Sequence, residues 1–195
     1  MIRCLSIYSK DKIDTVISVG GFSAAAGAFA AIAKPGCEWY IHEQNSKMGK
    51  LNELTAKFAT EVFSSFINDS KIKDYPISKE FFDLSRIRKE IKTVAFFGGS
   101  QGAVAINNFA LKVALRLKEE GYRIIHQTGK NDFDRVSAEY DKLKMNVDVF
   151  GFSKELPNKM KEADFAVSRA GASTLWEMCA TGLPSLFVPY KYASG

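Results

Sequence analysis

Two stretches of this sequence combine small residues with hydroxyl and carboxylate side chains in a spacing that suits anion binding. The first, Gly98–Gly102, reads Gly-Gly-Ser-Gln-Gly and directly follows the apolar run Val94–Phe97. An all-apolar run predicts a strand buried on both faces of a parallel sheet, and glycines let the backbone turn sharply beside a ligand. The helix predicted next presents free N–H groups and the positive end of its dipole. The sequence therefore predicts a phosphate site. Its candidate binding residues are Gly99, Ser100, Gln101 and Gly102.

The same loop also matches Gly-x-Ser-x-Gly, the nucleophile elbow of α/β-hydrolases. Such a hydrolase needs an acid and then a histidine after the serine, and the histidine after Ser100 is His126. The acids between them, Glu119 and Glu120, end the connecting helix at the wrong edge of the sheet. A dinucleotide fold would need an acid where His126 lies, and no Walker Gly-Lys-Ser/Thr follows. Phosphate binding, with Ser100 as a hydrogen-bond donor, and a tight turn without a ligand remain as interpretations.

The second stretch, Ser168–Glu177, follows the predicted strand Asp164–Val167 and opens another helix. Thr174-x-x-Glu177 matches a capping box, in which the two side chains only satisfy helix N–H groups. The alternative is that the helix start binds a second phosphate while the Glu177 carboxylate accepts both hydroxyls of a vicinal diol. Two anion sites and a diol-binding acid would form a nucleoside diphosphate site. The candidate phosphate-binding residues here are Ala172, Ser173 and Thr174.

Strands and helices alternate along the whole chain. After the end of a helix at 1–9, we predict strands at 14–19, 37–42 and 60–66, with helices at 24–34 and 48–59. Beyond a polar, proline-bearing stretch, strands are predicted at 93–98, 122–127, 146–150, 164–168 and 184–189. Helices are predicted at 103–120, 132–143, 156–161 and 173–181. This pattern predicts an α/β fold of two Rossmann-like domains with parallel sheets, 1–75 and 93–195, joined by a linker at 76–92.

Composition limits the classes of protein. The net charge of +5, from 27 basic and 22 acidic residues, is dispersed, so it permits attraction to phosphates or an anionic membrane without indicating nucleic-acid binding. The 3 cysteines form no Cys-x-x-Cys pair, which favours a reducing, cytoplasmic setting over a disulfide framework or zinc site. No apolar run reaches the roughly 20 residues of a membrane span. Any membrane contact is therefore predicted to be peripheral.

Six segments along the chain form a recognisable set of motifs: Gly20-Gly21-Phe22-Ser23, His42-Glu43-Gln44-Asn45, Gly98–Ala103, Arg169–Glu177, Gly182-Leu183-Pro184 and Val188-Pro189. Together these motifs resemble the MurG-type N-acetylglucosaminyltransferases of bacterial peptidoglycan synthesis, which are two-domain glycosyltransferases of the GT-B fold. The resemblance implies inverting transfer of N-acetylglucosamine from UDP-N-acetylglucosamine to the undecaprenyl-diphospho-muramoylpentapeptide lipid, at the cytoplasmic face of the inner membrane. A related GT-B lipid glycosyltransferase, or a non-catalytic fragment that binds nucleotide sugars, is the alternative.

The resemblance also implies where the donor would bind. The diphosphate would lie against Ser100 and the turn Ala172–Thr174. The backbone near Phe152 and Ser153 would hold the uracil, and Glu177 the ribose. The resemblance implies no metal, no cofactor and no nucleic acid, because helix N-termini would stabilise the departing UDP.

The acceptor half is expected at Asn45, with His42 and Glu43 shaping the cleft. The family's catalytic base is expected in a glycine-rich loop without a counterpart here, and the chain stops at Tyr192–Gly195, before a glutamine-bearing loop of the family. Ser78 replaces a family arginine. Because each sheet would lack some of its neighbouring strands, we expect apolar strand edges to be exposed. We therefore expect little or no transferase activity from these 195 residues alone.

Overall fold

The computed structural model describes residues 1–190, which divide into two units after Pro76. The first unit contains a parallel sheet of three strands in the order β1-β2-β3. Its elements are α1 (Ile2–Lys10), β1 (Thr15–Ser18), α2 (Ala25–Ala33), β2 (Glu38–His42), α3 (Lys50–Ala56) and β3 (Glu61–Phe63).

The core of the first unit lies between β2 and α2. Trp39 and Ile41 of β2 pack against Ala28 and Ala31 of α2, and small alanine side chains let the helix lie close to the sheet. Strand β3 is shorter than the predicted 60–66, because the Ser64 amide donates to the Ser70 side chain (2.9 Å) instead of continuing the ladder.

The second unit contains a five-stranded parallel sheet in the order β6-β5-β4-β7-β8, as the alternating pattern predicts. Its first elements are α4 (Lys79–Asp83), β4 (Thr93–Phe97), α5 (Val104–Glu119), β5 (Arg123–Gln127) and α6 (Phe133–Lys142). The remaining elements are β6 (Asp148–Phe150), α7 (Leu156–Glu162), β7 (Phe165–Arg169), α8 (Ala172–Thr181) and β8 (Ser185–Val188).

Helices cover both faces of this sheet. Val94 and Phe96 of β4 face α5 and α6, whereas Ala95 and Phe97 face α7 and α8, so the strand is buried throughout. The chain moves outward from β4 in one direction and from β7 in the other, and these two strands are neighbours. Their carboxyl ends therefore form a topological switch point, where open α/β sheets bind their ligands.

Residues 77–92, which the sequence analysis assigned to the interdomain linker, group with the second unit. Helix α4 packs against α8 and buries Phe81 in the core between the sheet and α7 and α8. The Arg88 guanidinium donates to the carbonyls of Met160 (2.8 Å), Ala163 (2.9 Å) and Thr181. These carbonyls lie at the carboxyl ends of α7 and α8, so Arg88 neutralises both helix ends.

We expect Arg88→Ala to lower the free energy of unfolding by about 2 kcal/mol, because it removes the charged donor to the Met160 and Thr181 carbonyls, whereas the Ala163 carbonyl keeps that of Arg86. Urea denaturation measures the change. Lys89→Ala, at the exposed neighbouring position, is the matched control and should change the free energy by less than about 0.5 kcal/mol. Equal effects of the two substitutions would show that the guanidinium contacts do not stabilise the unit.

Apolar residues are exposed on an edge strand of each sheet. In the first unit Ile17 of β1 is 64% exposed, and in the second Leu186 of β8 is 53% exposed. Beside α5, a groove of about 350 Å³ is lined by apolar side chains that include Phe165 and Val167 of β7. Leu186 of β8 lines the same groove.

Candidate functional site

The glycine loop after β4 is held by the loop after β5. The Gly98 amide donates to the Gln127 carbonyl (2.9 Å), and the Lys130 amide donates to the Ser100 carbonyl (3.3 Å). Gly102 has a φ of +85°, and a Cβ there would lie 2.5 Å from the Thr128 carbonyl oxygen. Because only glycine fits this contact, the loop leads into α5 in one conformation, with the Ser100 side chain exposed.

Helix α8 begins at Ala172, with Gly171 as its N-cap. Thr174 is therefore the third residue of the helix and not its cap, which excludes the capping-box interpretation of Thr174 and Glu177. Neither α5 nor α8 has an acidic residue in its first turn, and neither forms a side-chain cap hydrogen bond. Both helix starts therefore keep the positive potential that favours an anion.

The Ser100 loop and the first turn of α8 share one cavity of about 190 Å³ at the switch point. Gly99 and Ser100 line it from the first loop, Thr174 from α8, and Ser153 from the loop after β6. Four predicted residues of the same two turns do not line the cavity: Gln101, Gly102, Ala172 and Ser173. Glu177, in the next turn of α8, does not line it either. The other lining residues are Phe97, Gln127, Phe152, Leu156, Met160, Ser168 and Arg169.

Besides Ser168, the polar lining residues Gln127 and Arg169 were not among the predicted site residues. Each is the last residue of a strand, β5 and β7, so its position at the carboxyl edge follows from the strand pattern alone. Arg169 donates to the Pro189 carbonyl (3.1 Å) and its guanidinium lies 5.4 Å from the centre of the Tyr190 ring. It adds a positive charge to a cavity that the N-terminal turn of α8 already lines.

Glu177 lies one turn after Thr174 on the same side of α8, since residues three apart are neighbours on a helix. Its side chain is half-buried, and burial raises the pKa of its carboxyl group. Among residues 1–190 no side chain donates a hydrogen bond or an ion pair to this carboxylate. A desolvated carboxylate without a protein partner is poorly stabilised, so a ligand hydroxyl would be a favourable donor.

His126 cannot act as a base for Ser100, because both of its ring nitrogens have other partners. Nδ1 lies 2.9 Å from the Tyr140 hydroxyl, and Nε2 lies 3.0 Å from Oδ1 of Asn107. The ring is fully buried, and burial lowers its pKa to about 4. This arrangement removes the hydrolase alternative on geometry as well as on chain order.

In the first unit, Glu43 organises the loop after β2. Its carboxylate accepts hydrogen bonds from the Asn45 amide (2.9 Å) and side chain (3.2 Å), the Gly49 amide (3.0 Å) and the Asn52 side chain (2.8 Å). Burial alone would raise the pKa of Glu43, but these hydrogen bonds outweigh it and lower the pKa. The ionised Glu43 carboxylate is therefore the acceptor that positions the exposed Asn45.

His42, at the end of β2, is 8% exposed, and its Nε2 has no hydrogen-bond partner among the described residues. Its ring lies 5.4 Å from the Tyr75 ring, and burial lowers its pKa. Next to this edge, the turn after β1 approaches Asn52 so closely that a Cβ on Gly20 would lie 2.8 Å from its Nδ2. The residues predicted for the acceptor half thus meet at the carboxyl edge of the first sheet.

Two properties concern residues 1–190 as a whole. Within them, no three histidine, cysteine, aspartate or glutamate side chains are grouped so as to hold a metal ion. Asp132 and Asp134 form the sequence Asp-x-Asp, and Asp132 accepts hydrogen bonds from Asn107 (2.7 Å) and Arg135 (2.6 Å). None of the described helices is both long and apolar enough to cross a membrane.

Comparison with known sequences identifies the family. A profile of the C-terminal domain of glycosyltransferase family 28 matches residues 93–195, which is more than half of the chain. The chain belongs to glycosyltransferase family 28. The N-terminal domain profile of family 28 matches residues 1–64, so both domains of the family are represented. The resemblance drawn from the motifs is thereby confirmed.

Relatives within family 28 agree with this assignment. A protein from Campylobacter jejuni strain 81-176 is 51% identical over 191 residues, which are 98% of this chain. It is named UDP-N-acetylglucosamine--N-acetylmuramyl-(pentapeptide) pyrophosphoryl-undecaprenol N-acetylglucosamine transferase. A protein of the same name from Wolinella succinogenes is 44% identical over all 195 residues. The chain covers 55% and 58% of these two proteins, so it spans little more than half of their length.

A solved structure gives the same result for the fold. The crystal structure of MurG from Acinetobacter baumannii superimposes with a TM-score of 0.75 over 98% of this chain and 57% of that protein, at 27% identity. The predicted α/β fold with parallel sheets is therefore confirmed as GT-B.

Proposed function

We propose that this chain is part of an inverting glycosyltransferase that moves N-acetylglucosamine from UDP-N-acetylglucosamine to the undecaprenyl-diphospho-muramoylpentapeptide lipid. The observation that carries the proposal is the cavity that the Ser100 loop and the first turn of α8 share at the switch point. The N-terminal turn of α8, the glycine loop and Arg169 line this cavity, which suits a ligand with two adjacent phosphates.

The geometry supports specific roles for the predicted donor residues. Ser100 and the amides that begin α8 would bind the diphosphate, and Glu177 would accept the ribose hydroxyls. The uracil would lie beside Phe152 and the Ser153 backbone, since the Ser153 hydroxyl already accepts the Glu155 amide (3.0 Å). An aromatic ring at the rim of the cavity offers a surface on which a base can stack.

The reaction would proceed by displacement at the sugar carbon. An acceptor hydroxyl would attack from the face opposite the diphosphate, the bond from the sugar carbon to the phosphate oxygen would break, and UDP would leave with the bonding electrons. Negative charge then develops on the departing diphosphate, where N–H groups at helix N-termini stabilise it. The proton of the acceptor hydroxyl requires a base, for which we assign no residue.

The first unit would contribute to binding the acceptor through Asn45, which Glu43 holds in place. We further propose that the protein acts at the cytoplasmic face of the inner membrane as a peripheral protein. Exposed apolar residues of the first unit, such as Phe22 (93% exposed), and the net charge of +5 favour contact with an anionic lipid surface.

Calorimetric titration of the chain with UDP tests the donor half. We expect saturable binding of UDP, and weaker binding of ADP if the Ser153 backbone contacts the uracil as proposed. A parallel assay with radiolabelled UDP-N-acetylglucosamine and the lipid acceptor measures transfer, which we expect to be little or none for these 195 residues.

The binding assay tests the donor site, and the transfer assay tests the expected inactivity of this chain. Binding of UDP without transfer agrees with a donor-binding part of the enzyme or with a non-catalytic module. Normal turnover by this chain would contradict the expected inactivity. Absence of saturable UDP binding at millimolar concentrations would contradict the proposed function altogether.

A further inference from the structure

The loop that carries Ser100 rests on buried polar side chains that the proposed chemistry does not use. Asn107 of α5 and His126 of β5 are both 0% exposed, and Tyr140 of α6 is 1% exposed. Each comes from a different element, and all three are joined by hydrogen bonds. Buried polar groups are retained at a cost in desolvation, and a fully paired set specifies one local arrangement.

The hydrogen-bond partners of Asn107 determine the orientation of its own side-chain amide, and through it the tautomer of His126. Its Nδ2 lies 3.0 Å from the Thr128 carbonyl and 2.7 Å from the Asp132 carboxylate, and both are acceptors. Its Oδ1 therefore faces His126, so His126 Nε2 carries the proton. Nδ1 of His126 then accepts from the Tyr140 hydroxyl. The imidazole is neutral, with one defined tautomer.

Thr128 connects this set to the glycine loop. The carbonyl that Asn107 binds is the one that would lie 2.5 Å from a Cβ on Gly102. The next residue, Gly129, is equally close, because a Cβ on it would lie 2.2 Å from both N and Cα of Gly102. The position of residues 128–130 therefore sets the position of the Ser100 loop, which also accepts the Lys130 amide.

We propose that Asn107 and His126 are positioning residues for the diphosphate-binding loop: Asn107 holds the Thr128 carbonyl against Gly102, and His126 orients the Asn107 side chain. Neither residue reaches the ligand cavity. The identity of the ligand rests on the proposed function, whereas the effect on the conformation of the loop does not.

Amide hydrogen exchange and ligand binding test this proposal with Asn107→Ala and a matched control, Asn108→Ala. Asn108 is the exposed neighbour on α5, and its side chain accepts from Arg135 (3.0 Å). We expect Asn107→Ala to speed exchange of the Gly99–Gly102 amides by about tenfold relative to the control. UDP affinity should fall by about tenfold while uridine affinity changes by less than about twofold, because only the diphosphate contacts the loop.

Tyr140→Phe provides a second, milder variant if Asn107→Ala does not fold. It removes only the hydroxyl that His126 accepts, so we expect changes of about threefold in the same two measurements. Unchanged exchange at Gly99–Gly102 in a folded variant, or equal losses of UDP and uridine affinity, would overturn the proposal. If the unsubstituted chain binds no UDP, the proposed function fails, and the exchange rates alone decide whether Asn107 positions the loop.

Discussion

Replacing Glu177 with alanine is expected to weaken UDP binding by about 100-fold, because two hydrogen bonds to a charged acceptor are lost. The same substitution is expected to leave the free energy of unfolding unchanged or to raise it at neutral pH. The carboxylate is half-buried, burial raises its pKa, and no described side chain pairs with it. Calorimetry and urea denaturation of the same variant measure the two quantities.

The sign of the stability effect follows from the direction of the pKa shift. An acid whose pKa is higher in the folded state binds more protons there, so it destabilises the fold as the pH rises through that pKa. At neutral pH the ionised Glu177 therefore costs folding free energy, and removing it removes the cost. A purely structural role would give the opposite result, with stability falling in proportion to affinity.

Ligands with and without the ribose 2′-hydroxyl sharpen the Glu177 experiment. The unsubstituted chain should prefer UDP to 2′-deoxy-UDP, and Glu177→Ala should lose this preference, because the hydroxyl then has no acceptor. Glu177→Gln keeps one acceptor oxygen, so its preference for UDP should lie between those of the unsubstituted chain and of Glu177→Ala. Glu119→Ala, at an exposed position on α5, is the control for loss of one negative charge and should leave both affinities unchanged. A variant at Glu177 that retains the preference for UDP would remove this residue from the ribose site.

Much of the second unit is predictable from sequence because its central strands are buried. The run Val94–Phe97 has no polar residue and is followed at once by glycines, which favours a central strand and allows the glycines to be assigned to the switch point. The positions of residues near strand ends, such as Ser168, can then be inferred from the sequence alone. Ser100 and Thr174, predicted from two separate motifs, line the same cavity for this reason.

Features that depend on contacts between distant residues were not predictable. Helix α4 is too short for a periodic pattern, and it is fixed by the burial of Phe81 against the rest of the unit. The capping-box interpretation was wrong because the helix begins two residues before Thr174, and helix ends are poorly determined by sequence. His126 was considered only as a residue that fits neither a hydrolase nor a dinucleotide site. Its partners lie 19 and 14 residues away and meet it only in the folded chain.

His126 is expected to make the second unit acid-sensitive over a defined range of pH. Its pKa in the folded chain is lowered to about 4, chiefly by burial, with Asp132 raising it and Arg135 lowering it. An unfolded histidine titrates near 6.5. Between these values the unfolded state binds more protons, so the free energy of unfolding falls as the pH falls from about 6.5 to about 4, by about 3 kcal/mol in total.

Urea denaturation at several pH values measures this dependence, with His126→Gln as the comparison. Glutamine retains an N–H donor for Asn107 but does not titrate, so carboxylates such as Glu43 and Asp164 contribute equally in both proteins. The difference between the two pH profiles therefore isolates the histidine. Because the chain has only 2 histidines, NMR titration of the ring protons provides a direct check against His42. Parallel pH profiles, or a His126 midpoint near 6.5, would show that the buried imidazole accepts a proton without breaking its bonds to Asn107 and Tyr140.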